Sequence, residues 1–170
     1  MTESDPNRSL QKAIFAAGCF WGVEDYFRQL PGVVETEVGY TGGHTQNPTY
    51  KQVCTGKTGH AEAVKVLYKP QMISYAALVR HFFRLHDPTT FNRQGPDVGS
   101  QYRSAIFYVT SDQRDIAHQI KAELKESDSF SRKIVTEITP ASPFYRAEEY
   151  HQHYVQKTGH GGCHVQFSPL

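Results

Sequence analysis

The feature that most constrains the fold is the order, along the chain, of segments whose apolar residues follow a strand pattern or a helix pattern. Segments that are continuously apolar or alternate with a period of two predict strands, and apolar residues three or four apart predict helices. Pro31-Gly32 interrupts one such segment, and Ser74 and Ser111 can each cap a helix. The pattern predicts strands at 12–17, 33–40, 63–68, 104–109 and 134–138, and helices at 20–30, from Ser74 to before Pro88, from Ser111 through Leu124, and at 146–156.

The first six predicted elements run β-α-β-β-α-β. This order is typical of the ferredoxin-like split β-α-β pattern, an α+β fold with helices on one face of a mainly antiparallel sheet. We therefore predict such a core with an extra C-terminal helix and a long irregular tail. The 170 residues suit one domain of ordinary size. We expect a flexible N-terminal arm at 1–11 and a single domain at 12–170 that includes a glycine-rich C-terminal tail.

The charge of the chain is nearly balanced, with 18 Lys and Arg against 17 Asp and Glu and a formal net charge of +1. No broad electric field therefore favours nucleic acid, an acidic substrate or an anionic membrane. The first residues are polar, without the apolar stretch of a secretory signal, and no later stretch approaches a membrane span. We expect a cytoplasmic monomer without nucleic-acid or membrane partners.

The cysteines suggest thiol chemistry. Cys19, Cys54 and Cys163 are odd in number and widely separated, which is a poor framework for structural disulfides. Cys19 lies between a predicted strand and a predicted helix, where unpaired backbone N–H groups and the helix dipole favour a thiolate. A small apolar cysteine packed under the sheet fits that position equally well. From its placement alone, Cys19 is either a nucleophile or part of the core.

A long segment without predicted structure separates the second and third strands. A span of this length inside one domain is usually functional or mobile, so we expect active-site residues in it. The segment covers 41–60 and contains Gly42, Gly43, Pro48, Gly56 and Gly59.

Several short motifs follow one another along the chain. They are Gly18-Cys19-Phe20-Trp21-Gly22 and the segments 38–43 (VGYTGG), 58–63 (TGHAEA), 86–90 (HDPTT) and 95–104 (GPDVGSQYRS). In this order they resemble the motifs of the A-type peptide methionine sulfoxide reductases, and the resemblance covers about residues 12–155. It implies a catalytic domain without cofactor or metal that reduces the S epimer of methionine sulfoxide, free or in proteins, and is recycled by thioredoxin.

The resemblance implies a role for each matching residue. The Cys19 thiolate would attack the sulfoxide sulfur, and Glu62 would supply a proton to the oxygen as general acid. The hydroxyls of Tyr50 and Tyr102 would hold that oxygen, and Asp97 would help to position the substrate through water. Without the motifs, Glu62 reads as a solvent-facing strand residue, the tyrosines as ordinary aromatics and Asp97 as a turn residue.

The aromatic residues after Cys19 would form the methyl-binding site of such an enzyme. Phe20 and Trp21, the only tryptophan, would receive the methyl group of the substrate and so select the S epimer. Ordinary core packing is the alternative interpretation of this pair.

The catalytic cycle of the family requires a second thiol, because attack leaves a sulfenic acid on Cys19. Cys163 is the better candidate, since its segment is rich in glycine and can move a thiol toward Cys19, whereas Cys54 lies within the long loop. Cys54 remains the alternative resolving cysteine. The stretch 161–164 (GGCH) departs from the common family pattern, which has an aromatic residue two positions before this cysteine.

Two other classes of function compete with the reductase. A zinc site would draw on ligand-type residues near the C-terminus, although their spacing matches no known zinc motif. A Cys-His acyl hydrolase would use Cys19 with one of nine histidines, but no papain-like or caspase-like signature surrounds this cysteine. The ligand types in question are His151, His153, His160, Cys163 and His164.

Overall fold

The structure is a computed structural model that describes residues 10–159. Within that range a six-stranded sheet, a small hairpin and five α-helices follow one another along the chain. They are β1 (Gln11–Ala17), α1 (Phe20–Arg28), β2 (Val33–Thr41), α2 (Tyr50–Cys54), β3 (Ala61–Tyr68), α3 (Tyr75–Leu85), β4 (Arg93–Gln94), β5 (Asp97–Val98), β6 (Ser104–Tyr108), α4 (Ser111–Glu126), β7 (Glu137–Pro140), β8 (Tyr145–Arg146) and α5 (Tyr154–Thr158), with 3-10 helices at Ser100–Tyr102 and Glu149–His151.

The main sheet has the strand order β7-β6-β1-β3-β2-β8. β1 pairs antiparallel with β3 and β6, and β2 pairs antiparallel with β3 and β8. β7 runs parallel to β6, so the sheet is mixed. The mixed α/β architecture agrees with the predicted class, while the ferredoxin-like description stays a prediction. The pairing places the end of β1, the end of β2 and the start of β3 at one end of the sheet.

Apolar side chains cover both faces of the sheet. On one face, Phe15 of β1 stacks on Phe27 of α1 and Phe82 of α3, with ring centroids 5.1 and 5.4 Å apart. Each such buried phenylalanine contributes about 1.5–3 kcal/mol through its removal from water. On the other face, Ile14 and Ala16 belong to a smaller cluster with Phe107. Because β1 is packed on both faces, the turn that follows it has a rigid base.

The two predicted helix caps differ in outcome. Ser74 caps α3 as predicted, since its hydroxyl accepts a hydrogen bond from the Ala77 N–H. For α4, the prediction that Ser111 is the capping residue is wrong. Thr110 has the extended backbone that an N-cap requires and accepts from the Gln113 N–H, so Ser111 is the first helical residue.

The long segment between β2 and β3 is not structureless, contrary to the prediction. It contains α2, which begins with a capping box. The Thr49 hydroxyl accepts from the Gln52 N–H, and the Gln52 side chain accepts from the Thr49 N–H. The hairpin of β4 and β5 is a second element that periodicity did not predict, because each of its strands has only two residues.

The predicted fifth strand lies further along the chain than expected. Ile134 is buried in the core but precedes the strand, because the N–H of Val135 bonds to the carbonyl of Pro88 in another loop. Pairing with β6 begins only at Glu137, which lies opposite Ala105.

The predicted helix at 146–156 is wrong. This segment contains the end of β8, a 3-10 helix and the start of α5. His153 has a φ of +53°, a left-handed conformation that interrupts any α-helix. Side chains of this segment, among them Glu148 and Gln152, instead hydrogen-bond to residues that are distant in the sequence.

A search for membrane-spanning helices among residues 10–159 found none of sufficient length and apolar character.

Candidate active site

Cys19 occupies the N-cap position of α1, directly after the turn that leaves β1. Its side chain is partly exposed, and the first turn of α1 contains no acidic residue. The helix N-terminus stabilises a negative charge at such a position by about 0.3–1 kcal/mol. Gly18 makes the turn possible, because its φ is +97° and an added Cβ would lie 2.8 Å from Cγ of Gln94. The structure thus places Cys19 where the sequence predicts it.

Glu62 lies on β3 with 1% of its surface exposed. One carboxyl oxygen accepts a hydrogen bond of 3.2 Å from the N–H of Phe20, the residue after Cys19. The other oxygen, Oε2, has no hydrogen-bond partner within residues 10–159. The interpretation of Glu62 as a solvent-facing strand residue is therefore wrong.

The protonation of Glu62 follows from this burial. Desolvation raises the pKa of the carboxyl to about 8, although the bond from Phe20 acts in the opposite direction and the charge of Asp97 adds to the increase. The carboxyl is therefore mainly protonated at neutral pH. It carries a proton beside Cys19 and has a buried oxygen available for one more hydrogen bond.

Tyr50 and Tyr102 approach Glu62 from two other parts of the chain. Tyr50 begins α2, and Tyr102 ends the 3-10 helix after β5. Burial, reinforced by the negative charge of Glu62, raises the pKa of Tyr50 and raises that of Tyr102 to about 12. Both hydroxyls therefore stay neutral and can donate hydrogen bonds over the physiological pH range.

Asp97 reaches the same region from the β4-β5 hairpin. Its charge raises the pKa of both Glu62 and Tyr102, in addition to the larger effect of burial. Gln94, opposite Asp97 in the hairpin, packs against Gly18 and bonds through its side chain to the backbone of Asp87. The hairpin thus forms one wall beside the turn that carries Cys19.

Phe20 and Trp21 have different environments. Phe20 is almost fully buried and packs against Tyr40 at 5.8 Å. Trp21 is half-buried and stacks nearly parallel on Tyr154, with centroids 3.9 Å apart. Its indole N–H donates to Nδ1 of His151 at 2.9 Å. Tyr154 therefore holds one face of the Trp21 ring and His151 holds its N–H edge. Phe20, in contrast, is largely a core residue.

His151 is a site residue that the sequence suggested only as a zinc ligand. Its buried ring lies 5.2 Å from the ring of Phe20 and 4.4 Å from the ring of Tyr50, between two residues to which the family resemblance assigns substrate contacts. Because Nδ1 accepts from Trp21, the neutral ring carries its proton on Nε2. Burial lowers the pKa of His151, which favours this neutral form.

The segment 148–154, which we call the C-terminal clamp, connects these residues to the sheet. The Glu148 carboxylate accepts from the hydroxyl of Tyr40 at 2.8 Å and from the N–H of Tyr50 at 2.9 Å. Burial alone would raise the pKa of Glu148, but the hydrogen bonds it accepts outweigh burial and lower it. The carboxylate therefore fixes the first residue of α2, and with it the position of Tyr50.

Gln152 attaches the clamp to β2 in the manner of a strand residue. Its side-chain amide accepts from the N–H of Val38 and donates to the carbonyl of the same residue, both at 2.9 Å. Sequence periodicity cannot predict such contacts. The only local indication of a functional role for this segment is the unusual density of polar and aromatic side chains at 148–154 (EEYHQHY).

The two further cysteines differ in what the structure shows. Cys54 ends α2 as an exposed free thiol that hydrogen-bonds with the Tyr50 side chain. Burial of the sulfur and the nearby charges of Glu62 and Glu148 raise the pKa of Cys54, although the bond with Tyr50 lowers it. Cys163 lies outside the described residues, as do His160 and His164. Within 10–159, no three metal-ligating side chains lie close enough together to hold a metal ion.

Comparison with known proteins identifies the family of the chain. Residues 11–170 match the family model described as peptide methionine sulfoxide reductase. The chain belongs to this family. It is therefore an enzyme of the oxidoreductase class.

Members of the peptide methionine sulfoxide reductase family from archaea are similar over most of their length. The chain is 58% identical over 158 residues to the peptide methionine sulfoxide reductase MsrA of Methanoculleus marisnigri, covering 93% of this chain and 96% of that one. It is 57% identical over 155 residues to that of Methanosarcina mazei, covering 91% and 74%.

Solved structures of the family share the fold. Mxr1 from Saccharomyces cerevisiae in reduced form has a TM-score of 0.90 at 37% identity and covers 98% of this chain and 96% of that one. Methionine sulfoxide reductase A of Corynebacterium diphtheriae has a TM-score of 0.81 at 38% identity, with coverage of 94% and 79%. Mxr1 in complex with Trx2 has a TM-score of 0.65 at 26% identity, with coverage of 99% and 96%.

Proposed function

We propose that the protein reduces the S epimer of methionine sulfoxide, free or in proteins, to methionine with Cys19 as its nucleophile. The observation that carries this proposal is the environment of Glu62. A buried carboxyl, protonated near neutral pH and with an unpartnered oxygen, bonds to the residue next to Cys19 and lies near two neutral hydroxyls. A sulfoxide oxygen needs such a set of donors when negative charge develops on it.

In the first step, the Cys19 thiolate attacks the sulfur of the substrate. Glu62 gives its proton to the sulfoxide oxygen, while Tyr50 and Tyr102 donate hydrogen bonds to it and Asp97 orders water around the substrate. The hydroxyl then moves to the sulfur of Cys19, and the substrate sulfur loses both its bond to this oxygen and the bond that the attack had formed with Cys19. The substrate gains two electrons and leaves as methionine, and Cys19 loses two and becomes a sulfenic acid.

The choice of epimer is proposed to come from the aromatic residues after Cys19. The Trp21 ring is held by Tyr154 and His151, so it presents a fixed apolar surface close to the nucleophile. When the methyl group lies on this surface and the oxygen faces Glu62, the configuration at sulfur decides whether the rest of the substrate points out of the site or into the protein. Phe20 supports this surface from the core.

In the second step, Cys163 attacks the sulfenic acid of Cys19, a disulfide forms and water leaves. The start of α5 stacks on Trp21, two residues from Cys19. Gly159 ends α5 in a left-handed conformation, and the four residues from there to Cys163 can span at most about 14 Å. This length exceeds the rise of α5, about 7 Å, so it suffices for the chain to return toward Cys19.

Cys54 is the weaker candidate for the second thiol. Its raised pKa leaves less thiolate than an unperturbed cysteine, and the thiolate is the attacking form. We further propose that thioredoxin reduces the disulfide, which is supported by the complex of the family member Mxr1 with Trx2.

The experiment that tests the proposal uses the reduced protein and the pure S epimer without an external reductant. We expect about one methionine per protein and the loss of two thiols, because a two-cysteine cycle stops at the disulfide. Mass mapping of the peptides should then find Cys19 joined to Cys163. Survival of both thiols after turnover, or equal reduction of the R epimer, would contradict the mechanism.

A further inference from the structure

Glu24 is a buried acidic residue that the proposed chemistry does not use. It lies on α1 and has 1% of its surface exposed. Oε1 accepts a hydrogen bond of 2.7 Å from the backbone N–H of His153, and Oε2 accepts one of 2.9 Å from the hydroxyl of Thr36 on β2. The side chain therefore connects three parts of the chain that are distant in sequence.

The bond to His153 is made at the point where the chain leaves the C-terminal clamp. His153 has a left-handed backbone, which is unfavourable for a residue with a side chain, so external contacts must hold it. The next residue, Tyr154, begins α5 and stacks on Trp21. A released His153 would let α5 leave the surface of α1.

Cys163 follows His153 by ten positions in the sequence. Glu24 follows Cys19 by five positions on α1, which places the attachment point about 7 Å along the helix axis from the nucleophile. When the segment from His153 to Cys163 is anchored this close to Cys19, the second thiol has a high effective concentration at the nucleophile. Loss of the anchor lowers that effective concentration.

We propose that Glu24 is a positioning residue for the formation of the disulfide. Its carboxylate anchors the beginning of the C-terminal arm, residues 154–163, to the helix that carries Cys19. This inference rests on the proposed function, because it assumes that Cys163 attacks the sulfenic acid. Glu24 has no contact with the reacting atoms, so the first step depends on it little.

The test separates the two steps in single-turnover experiments with the S epimer. In Glu24→Ala at a saturating concentration of the S epimer, the rate of methionine formation should stay within about threefold of wild type, while the rate of loss of the second thiol should fall at least about tenfold. The emission of Trp21 should shift to longer wavelength as Tyr154 leaves the indole. Glu24→Gln should restore both signals in large part, because its amide oxygen can still accept from the His153 N–H.

Thr36→Val is the matched control. It removes the other hydrogen bond of Glu24 but leaves the bond to His153 in place. We expect a normal rate of disulfide formation and a normal Trp21 emission. If Glu24→Ala does not fold, Glu24→Asp serves instead, since it keeps the charge but withdraws it from His153 by one methylene group.

Three outcomes would overturn the inference. They are equal slowing of both steps in Glu24→Ala or Glu24→Asp, a slow second step in Thr36→Val, and an unchanged second step in the Glu24 variants. A wild-type protein that forms no methionine would instead refute the proposed function. If the wild-type protein forms methionine and the second step is unchanged in the Glu24 variants, only the role of Glu24 is refuted.

Discussion

At the scale of single residues, burial decides what each side chain can do. A glutamate on the exposed face of a strand is ionised at neutral pH, whereas Glu62 keeps its proton because the sheet and α1 exclude water from it. The same desolvation keeps the hydroxyls of Tyr50 and Tyr102 neutral. The chemistry of the site thus depends on a few groups whose charge is suppressed by their surroundings.

Glu62→Gln should lower the single-turnover rate of methionine formation by about 10²–10⁴, because an amide cannot supply the proton. The wild-type rate should fall as the pH rises above about 8, where Glu62 loses that proton, and the rate of the variant should lack this decline. Rapid-quench measurement of methionine across the pH range gives both results. Glu35→Gln, at an exposed position of β2, is the control and should keep the wild-type rate. A normal rate of methionine formation in Glu62→Gln would show that Glu62 is not the acid.

The stability of the fold should also depend on Glu62 and pH. The carboxyl has a pKa of about 8 in the folded protein and an ordinary value of 4.5. Between these values the unfolded chain binds fewer protons than the folded one, so the free energy of unfolding falls as the pH rises. The loss levels off above about pH 8, at a magnitude on the order of 5 kcal/mol.

Glu62→Gln should therefore gain stability relative to wild type as the pH increases from 4.5 to 8. Urea unfolding of both proteins at several pH values measures this difference. A difference that does not change with pH would mean that the folded carboxyl ionises at its ordinary value.

At the scale of elements, the C-terminal clamp connects elements whose side chains form the candidate site. Its side chains bond to β2, α1 and α2, through Gln152, His151 and Glu148. Apart from the 3-10 helix at Glu149–His151 and the first residue of α5, the clamp has no regular structure, and these three side chains bond to distant partners instead. Its contribution is to set the positions of Trp21 and Tyr50 relative to one another.

Tyr154→Ala should loosen the Trp21 ring, since it removes the face on which the indole stacks. We expect the KM for methionine sulfoxide to rise several-fold. This corresponds to losing the stabilisation of one aromatic pair, about 0.5–1.5 kcal/mol. Steady-state kinetics and the emission of Trp21 measure the effect. Tyr108→Ala on β6 is the control, and an equal change in KM there would show that the effect of Tyr154→Ala is not local.

At the scale of the whole molecule, the sheet brings residues from separate segments to one end. The turn after β1 carries Cys19, the start of β3 carries Glu62, and α1 receives the clamp from the far end of the chain. The arm after the clamp then continues toward Cys163. One fold thus places Cys19 beside Glu62 and holds the segment that precedes Cys163 in the sequence against the same helix.

Cys163→Ser and Cys54→Ser form a matched pair for the complete cycle. Cys163→Ser should complete one turnover and then stop with thioredoxin as reductant, because the sulfenic acid has no partner thiol. Cys54→Ser should recycle at nearly the wild-type rate. The measurement is methionine formed per protein over time, and full recycling by Cys163→Ser would assign the second thiol elsewhere.

The sequence by itself determined the elements with strong periodicity and the position of Cys19. Core strands such as β1 and the helix capped by Ser74 were predictable because their side chains repeat with the period of the element. The site residues Glu62, Tyr50, Tyr102 and Asp97 came from motif resemblance, and the structure brings them near one another.

Only the tertiary structure decided the protonation of Glu62 and the course of the C-terminal clamp. The pKa of a carboxyl depends on which atoms exclude water from it, and those atoms belong to segments far away in the chain. His151, Gln152 and Glu24 likewise bond across more than 100 positions, to Trp21, Val38 and His153. Local patterns carry no record of such contacts, because these bonds form only when the sheet has brought the segments together.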